Sequence, residues 1–267
     1  MHLKKIDIGG LETPNNVFLA PLAGYTNAVF REMCYNLGAG LTFTEMVSAK
    51  GLCYNSQNTR ELLYITPTYG GIKAVQLFGS DPEYMRRAAA SEEIAPFELI
   101  DINMGCPVPK IFGNGDGSAL LQDFAKASAL IKACKDSGKR VSVKFRIGLT
   151  ADKLVAADFA KMCEDSGADM ISVHGRTRDK IYAGEVNTEQ IAAAKNAVKI
   201  PVIANGGIFT PADADQLIER TGADGVMLAR GAMYSPWLFA EITSRPMPDK
   251  RALVKKQLED TFRVYGE

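Results

Sequence analysis

The chain has 267 residues, 46% hydrophobic and 23% charged, values ordinary for a globular fold. Its 31 basic and 31 acidic residues cancel, which argues against a simple nucleic-acid-binding module while leaving room for a local basic patch. No apolar run approaches the roughly 18 residues of a membrane span, and Met1 to Gly10 carries Lys4, Lys5 and Asp7 where a signal peptide needs an apolar stretch.

The five cysteines form no Cys-x-x-Cys pair, so neither a disulfide framework nor a zinc ribbon is expected. The reading is a cytoplasmic protein with no metal and no membrane contact. The length suits one (β/α)₈ barrel of about 250 residues, with two small domains as the generic alternative.

Eight short runs rich in branched apolar residues recur along the chain: 17–20, 41–45, 73–78, 98–103, 140–145, 169–174, 200–204 and 223–228. Such density fits parallel strands covered on both faces. Helical patterns with readable ends lie between most of them. Ser80-Asp81-Pro82-Glu83 opens one, Asn187 with Gln190 another, and Thr210-Pro211 a third that Gly222 closes. Gly38, Gly138 and Gly167 follow other helical stretches, where a left-handed residue satisfies the last carbonyls. Eight strand–helix units predict a closed TIM barrel; an open doubly wound sheet is the competing architecture.

Residues 104–118 hold four glycines and two prolines, which predicts a long irregular loop after the fourth strand. In a barrel, the segments after the strands form the catalytic face. Past the eighth strand, Ser235-Pro236 reads as the start of a helix through Ile242, broken by Pro246-Met247-Pro248. Leu253, Val254, Leu258, Phe262 and Val264 then recur near helical spacing. The expected organisation is a barrel over 1–243 and a short C-terminal helical segment over 244–267.

Polar residues stand where barrel strands end: Asn103, Lys144, His174 and Asn205, with Gln76 inside the third strand. One such residue is explained by neighbouring backbone; several at equivalent points suggest a convergent site, because polar groups in a barrel interior are costly unless paired. Asn205-Gly206-Gly207 and Ala229-Arg230-Gly231 end the seventh and eighth strands, the usual barrel position for a phosphate. Lys144 is placed to balance negative charge on a reduced cofactor ring, or to form a structural ion pair. Cys106, flanked by Gly105 and Pro107, is a candidate nucleophile or general acid, or an inert thiol. His174 makes a Cys–His pair conceivable. Arg176, Arg178 and Lys180 form a run that is either a polyanion site or a solvated surface.

These residues occur in segments that resemble the tRNA-dihydrouridine synthases. The segments are Ala20-Pro21-Leu22-Ala23-Gly24-Tyr25-Thr26, Val75 to Pro82, Asp101-Ile102-Asn103-Met104-Gly105-Cys106-Pro107, Val143-Lys144-Phe145-Arg146, Val173 to Arg178, Pro201 to Ile208 and Ala229 to Ala232, in the family's order. The Asn-Met-Gly-Cys-Pro element is the most specific.

The resemblance implies FMN as cofactor, NADPH as reductant and tRNA as substrate, with reduction of the uracil C5–C6 double bond. It implies that Pro21, Leu22 and Ala23 line the flavin, that Gln76 and Lys144 bond its polar edge, and that His174 sits by the phosphoribityl arm. Asn205, Gly206, Gly207, Ala229 and Arg230 are expected at the phosphate, Asn103 and Arg176 at the uracil, and Cys106 as proton donor. An FMN reductase of small enones, a flavin- or RNA-binding barrel without catalysis, and a phosphosugar isomerase are the alternatives. The segment after Pro248 is shorter than the family's C-terminal helical bundle.

Overall fold

The computed structural model describes residues 1–266, and its centre is a ring of eight parallel strands. They are β1 (Val17–Leu19), β2 (Leu41–Ser48), β3 (Lys73–Phe78), β4 (Leu99–Met104), β5 (Arg140–Arg146), β6 (Met170–His174), β7 (Val202–Asn205) and β8 (Gly225–Leu228). Each pairs with the next, and β8 returns to β1 with Met227 opposite Phe18, which closes the barrel and excludes the open sheet.

Closure explains the strand compositions. Side chains alternate between lumen and helix layer. Phe18, Phe43, Ala74, Leu99, Met170, Ile203 and Met227 fill the lumen, while Val75, Leu77, Ile100, Ile102, Val141, Val143, Ile171 and Val173 pack outward against the helices. Both faces are therefore apolar.

A hairpin that sequence patterning does not reveal seals the amino-terminal end. Asp7–Ile8 pairs antiparallel with Leu11–Glu12, and Ile6 and Ile8 join the lumen cluster. Two residues per strand are too few to show a period. The turn needs glycine twice: Gly9 and Gly10 have φ of 59° and 88°. A Cβ on Gly9 would also lie 2.6 Å from Asp169 Oδ1.

The helix ends follow local chemistry. Asp81 accepts from the Glu83 and Tyr84 amides, and Asn187 from that of Gln190. Thr210 and Asp213 form a reciprocal capping box, and Gly222 closes that helix at φ 66°.

Two expectations are corrected. The segment 104–118 is not wholly irregular. Pro109–Gly113 is a short helix and Gly117–Gln122 a 3-10 turn, because Pro109 has φ preset at the first turn and the glycines concentrate in the corner between them. Ser235 does not open a helix. It ends Arg230–Tyr234 by donating its amide to Gly231 O at 2.9 Å, and the next helix is Leu238–Ile242.

The last helix, Lys250–Tyr265, is capped by Asp249 and docks through Tyr265, whose hydroxyl accepts from Ala28 N–H at 3.1 Å. Among the described residues no helix is long and apolar enough to cross a membrane.

Candidate active site

At the carboxyl ends of the strands the lumen changes from apolar to polar. Gln76 on β3, Asp101 and Asn103 on β4, His174 on β6 and Asn205 on β7 share inward parity with apolar lumen residues before them, and Ser142 and Lys144 on β5 alternate with the outward Val141 and Val143. The barrel thus brings together five residues singled out from sequence, from four elements and a loop-bearing strand.

Their contacts are specific. Asn103 folds back on its own loop: its Oδ1 accepts from the amides of Gly105 at 3.1 Å and Cys106 at 2.9 Å. Its Nδ2 donates to Gln76 Oε1 at 2.9 Å and approaches Met46 Sδ at 3.8 Å. The far side of the Cys106 turn is held by Ser118, whose amide and hydroxyl both donate to Cys106 O, at 3.1 and 2.8 Å. Cys106 is half-buried, unlike the fully buried Cys34, Cys134 and Cys163. Burial pushes its thiol up, against smaller opposing pulls from the Val108 amide, Arg146 and Lys144.

Lys144 donates to Asn205 Oδ1 at 3.1 Å, and Asn205 Nδ2 donates to Met227 O at 2.7 Å. Burial, and then Arg146, pulls the Lys144 ammonium down to about 8. His174 is buried and held well below its ordinary range, first by burial, then by Lys144, Arg146, Arg176 and Arg230. It turns Nε2 to Arg176 Nη1 at 3.5 Å.

Cations therefore crowd one end of a chain whose net charge is zero. Field lines in a cleft with apolar walls are focused, and a cluster of this sign favours negative charge there. Gly206 and Gly207, at φ 123° and 74°, bring backbone close to this point. A Cβ on Gly206 would lie 3.0 Å from Val186 Cγ2 and 3.1 Å from His174 Cδ2. Ala229 precedes Arg230, whose guanidinium sits 4.7 Å from the Tyr182 ring centroid and 5.7 Å from that of Phe209. Pro21 and Leu22 are half-buried at the end of β1 and Ala23 is exposed.

The basic run is divided rather than presented as one surface. Arg176 is buried and donates twice to Gly184 O, at 3.1 and 2.8 Å. Arg178 lies 3.9 Å from the Phe112 ring centroid, and of the three only Lys180 is exposed.

Arg146 received no role from sequence although it stands two residues beyond Lys144. It is buried and ties two loops together through three carbonyls, donating to Gly105 O at 2.9 Å, Thr177 O at 3.0 Å and Ile181 O at 2.9 Å. Asp101 and Ser142 were also missed; inward parity with Asn103 and Lys144 was the available signal.

A cavity of about 1290 Å³ lies away from this mouth, between Ala28–Asn36, residues 57–68 and the last helix. Its charges pair among themselves, Arg60 with Glu93 at 2.7 Å and Lys256 with Asp260 at 2.6 Å, so nothing converges on a ligand there.

Fold and site together define a (β/α)₈-barrel enzyme whose mouth gathers cationic side chains beside a half-buried thiol. Residues 18–263 match the dihydrouridine synthase (Dus) family, and the chain belongs to it, a flavin-dependent oxidoreductase. It is 37% identical to tRNA-dihydrouridine synthase B of Pseudomonas aeruginosa, over 98% of this chain and 82% of that protein. It is 39% identical to the namesake from Vibrio parahaemolyticus, over 97% of this chain and 84% of the relative. The fold is shared at TM-score 0.65 and 16% identity with a variant of NCR from Zymomonas mobilis, covering 98% of this chain and 97% of that one. Histamine dehydrogenase from Rhizobium sp. 4-9 shares it at TM-score 0.68 and 13% identity, covering 96% of this chain but 48% of that one.

Proposed function

We propose that this protein reduces the C5–C6 double bond of uracil in tRNA to dihydrouridine, with FMN as cofactor, NADPH as reductant and Cys106 as proton donor. The observation that carries the reading is the half-buried Cys106 thiol, fixed by Asn103 and Ser118 on a loop beside the cation cluster. The residues fit a flavin nucleotide. Clustered cations favour an anion beside them, and the positive-φ glycines present backbone without a side chain there.

The chemistry an FMN supplies when bound is a hydride for C6. The chain's residues do the rest. Lys144 balances negative charge on the ring edge, and Gln76 contributes the second hydrogen of an amide otherwise committed to Asp101. Pro21, Leu22 and Ala23 line one side. Gly206, Gly207, Ala229 and Arg230, with Asn205 and His174, hold the phosphate end and its arm. Asn103 and Arg176 recognise the uracil through what their present bonds leave free: the Asn103 hydrogen now aimed at Met46 Sδ, and the Arg176 Nη1 hydrogen not turned to His174. As charge builds at C5, the Cys106 S–H bond breaks and its proton goes to C5. A thiol pushed up by burial is protonated at neutral pH and so is ready to act as an acid. The division into a barrel over 1–243 and a helical segment over 244–267 belongs to the same reading.

The test is C106A. We expect the variant to keep its flavin and lose dihydrouridine formation, scored by mass mapping of tRNA after incubation with NADPH, by at least about 100-fold. Wild-type product levels from the variant would refute the assignment.

A further inference from the structure

Beneath the Cys106 loop runs a chain of polar groups whose far end, Asp101 and Ser142, has no role in the reading above. The hydroxyl of Ser142 donates to Asp101 Oδ1 at 2.6 Å. Gln76 Nε2 donates to Asp101 Oδ2 at 2.7 Å. Asn103 Nδ2 donates to Gln76 Oε1 at 2.9 Å. The amides of Gly105 and Cys106 donate to Asn103 Oδ1. Strand register makes the chain possible: Gln76 stands opposite Asp101, and Asp101 opposite Ser142, on adjacent parallel strands.

Every link donates towards Asp101. A side-chain amide can turn over and exchange its donor and acceptor ends, so Gln76 and Asn103 take their direction from the two ends of the chain: the Gly105 and Cys106 amides, which only donate, and Asp101. As a carboxylate it only accepts, which forces Gln76 to present Nε2 to it and Oε1 to Asn103. Asn103 must then offer Nδ2 to Gln76 and keep Oδ1 for the loop. Burial pushes the Asp101 carboxyl up to about 6, so it is still ionised at neutral pH. Asp101 and Gln76 are each buried, at 0% and 1% exposure, so no water stands in for a lost link.

We propose that Asp101 is a positioning residue: it supplies the acceptor that anchors the Gln76–Asn103 relay and thereby holds the Cys106 turn in its reactive shape. It touches neither substrate nor cofactor. The proposal rests on Cys106 being the proton donor only for its catalytic consequence; the relay itself stands on the geometry.

Nearly isosteric substitutions test it. Q76E sets two acceptors face to face, and the link survives only while a proton is shared between them. Adding D101N restores a donor–acceptor link, since the introduced amide donates to the introduced carboxylate, which still accepts from Asn103. The readout is the iodoacetamide alkylation rate of the Cys106 peptide in the flavin-loaded protein, relative to wild type at the same pH, with tRNA reduction measured in parallel. For Q76E we expect alkylation at least about fivefold faster than wild type at pH 8.5, the excess shrinking towards pH 6 as the shared proton returns. The double variant Q76E/D101N should stay within about twofold of wild type at both pH values.

Equal rates for Q76E and wild type at pH 8.5, or a double variant as fast as Q76E, would overturn the relay. Should Q76E fail to fold, D101N against D101L decides. The first keeps an acceptor for Gln76 and is expected near the wild-type rate; the second removes it and is expected at least about fivefold faster. Equal rates for both overturn the proposal. Alkylation that follows this pattern while tRNA reduction does not change would leave the relay standing and remove Cys106 from the chemistry.

Discussion

Replacing Arg146 by methionine probes how the mouth is held together. The guanidinium joins the Cys106 loop, through Gly105 O, to the segment after β6, through Thr177 O and Ile181 O. Methionine fills much of the volume but donates nothing. A charged hydrogen bond contributes about 1.5–3 kcal/mol, and an orphaned buried carbonyl costs about 1–3 kcal/mol. Three such bonds set a ceiling near 9 kcal/mol, and two effects lower it. Ile181 is 49% exposed, so its carbonyl can be rehydrated. The guanidinium itself is strained by desolvation, its pKa brought down to about 10, and removing it recovers that penalty.

We therefore expect R146M to lose about 3 kcal/mol in urea unfolding followed by circular dichroism. R146K, with one compact ammonium in place of a fork, should lie between the two. Ile181 has φ 51°, unusual for a β-branched residue, and Arg146 is the contact that holds its carbonyl. Limited proteolysis of R146M should therefore cut first within residues 177–185. A loss below about 0.5 kcal/mol with no new cleavage would show that the three bonds are not structural supports.

Two further outcomes follow from the site. The Asp101 carboxyl is raised to about 6 in the folded chain, against about 4 unfolded. Its contribution to stability is thus fully present below pH 4 and is lost as pH rises through 6. The difference in unfolding free energy between wild type and D101N should shift by up to about 3 kcal/mol across that window, read from urea midpoints at each pH, and a difference independent of pH would contradict the raised carboxyl. Gly207 has φ 74°, and an added Cβ would sit 3.1 Å from Val186 Cγ2. G207A should cost about 1–2 kcal/mol and lower the flavin retained per purified chain, measured by visible absorbance. Wild-type flavin content would remove Gly207 from the phosphate end.

Much of the molecule was legible along the chain because the signals are local. All eight barrel strands lie within or beside runs read from apolar density, since a strand buried on both faces must be apolar throughout. Asn187, Thr210 and Gly222 announced helix ends because a cap is a contact within one turn. The polar residues at strand ends pointed to a shared site, because few arrangements other than convergence justify so many buried polar groups.

What the order of residues could not determine depends on closure. A net charge of zero concealed a mouth where Lys144, Arg146, Arg176 and Arg230 bear on one histidine, because these residues are up to 86 positions apart until β8 meets β1. Arg176 and Arg178 read as one basic run, yet backbone curvature sends one inward to Gly184 O and the other onto Phe112. The Ser142–Asp101–Gln76–Asn103 chain links three strands through side chains whose partners are 2 to 41 residues away. Local periodicity decides which residues face inward; only the register of a closed sheet decides which of them touch.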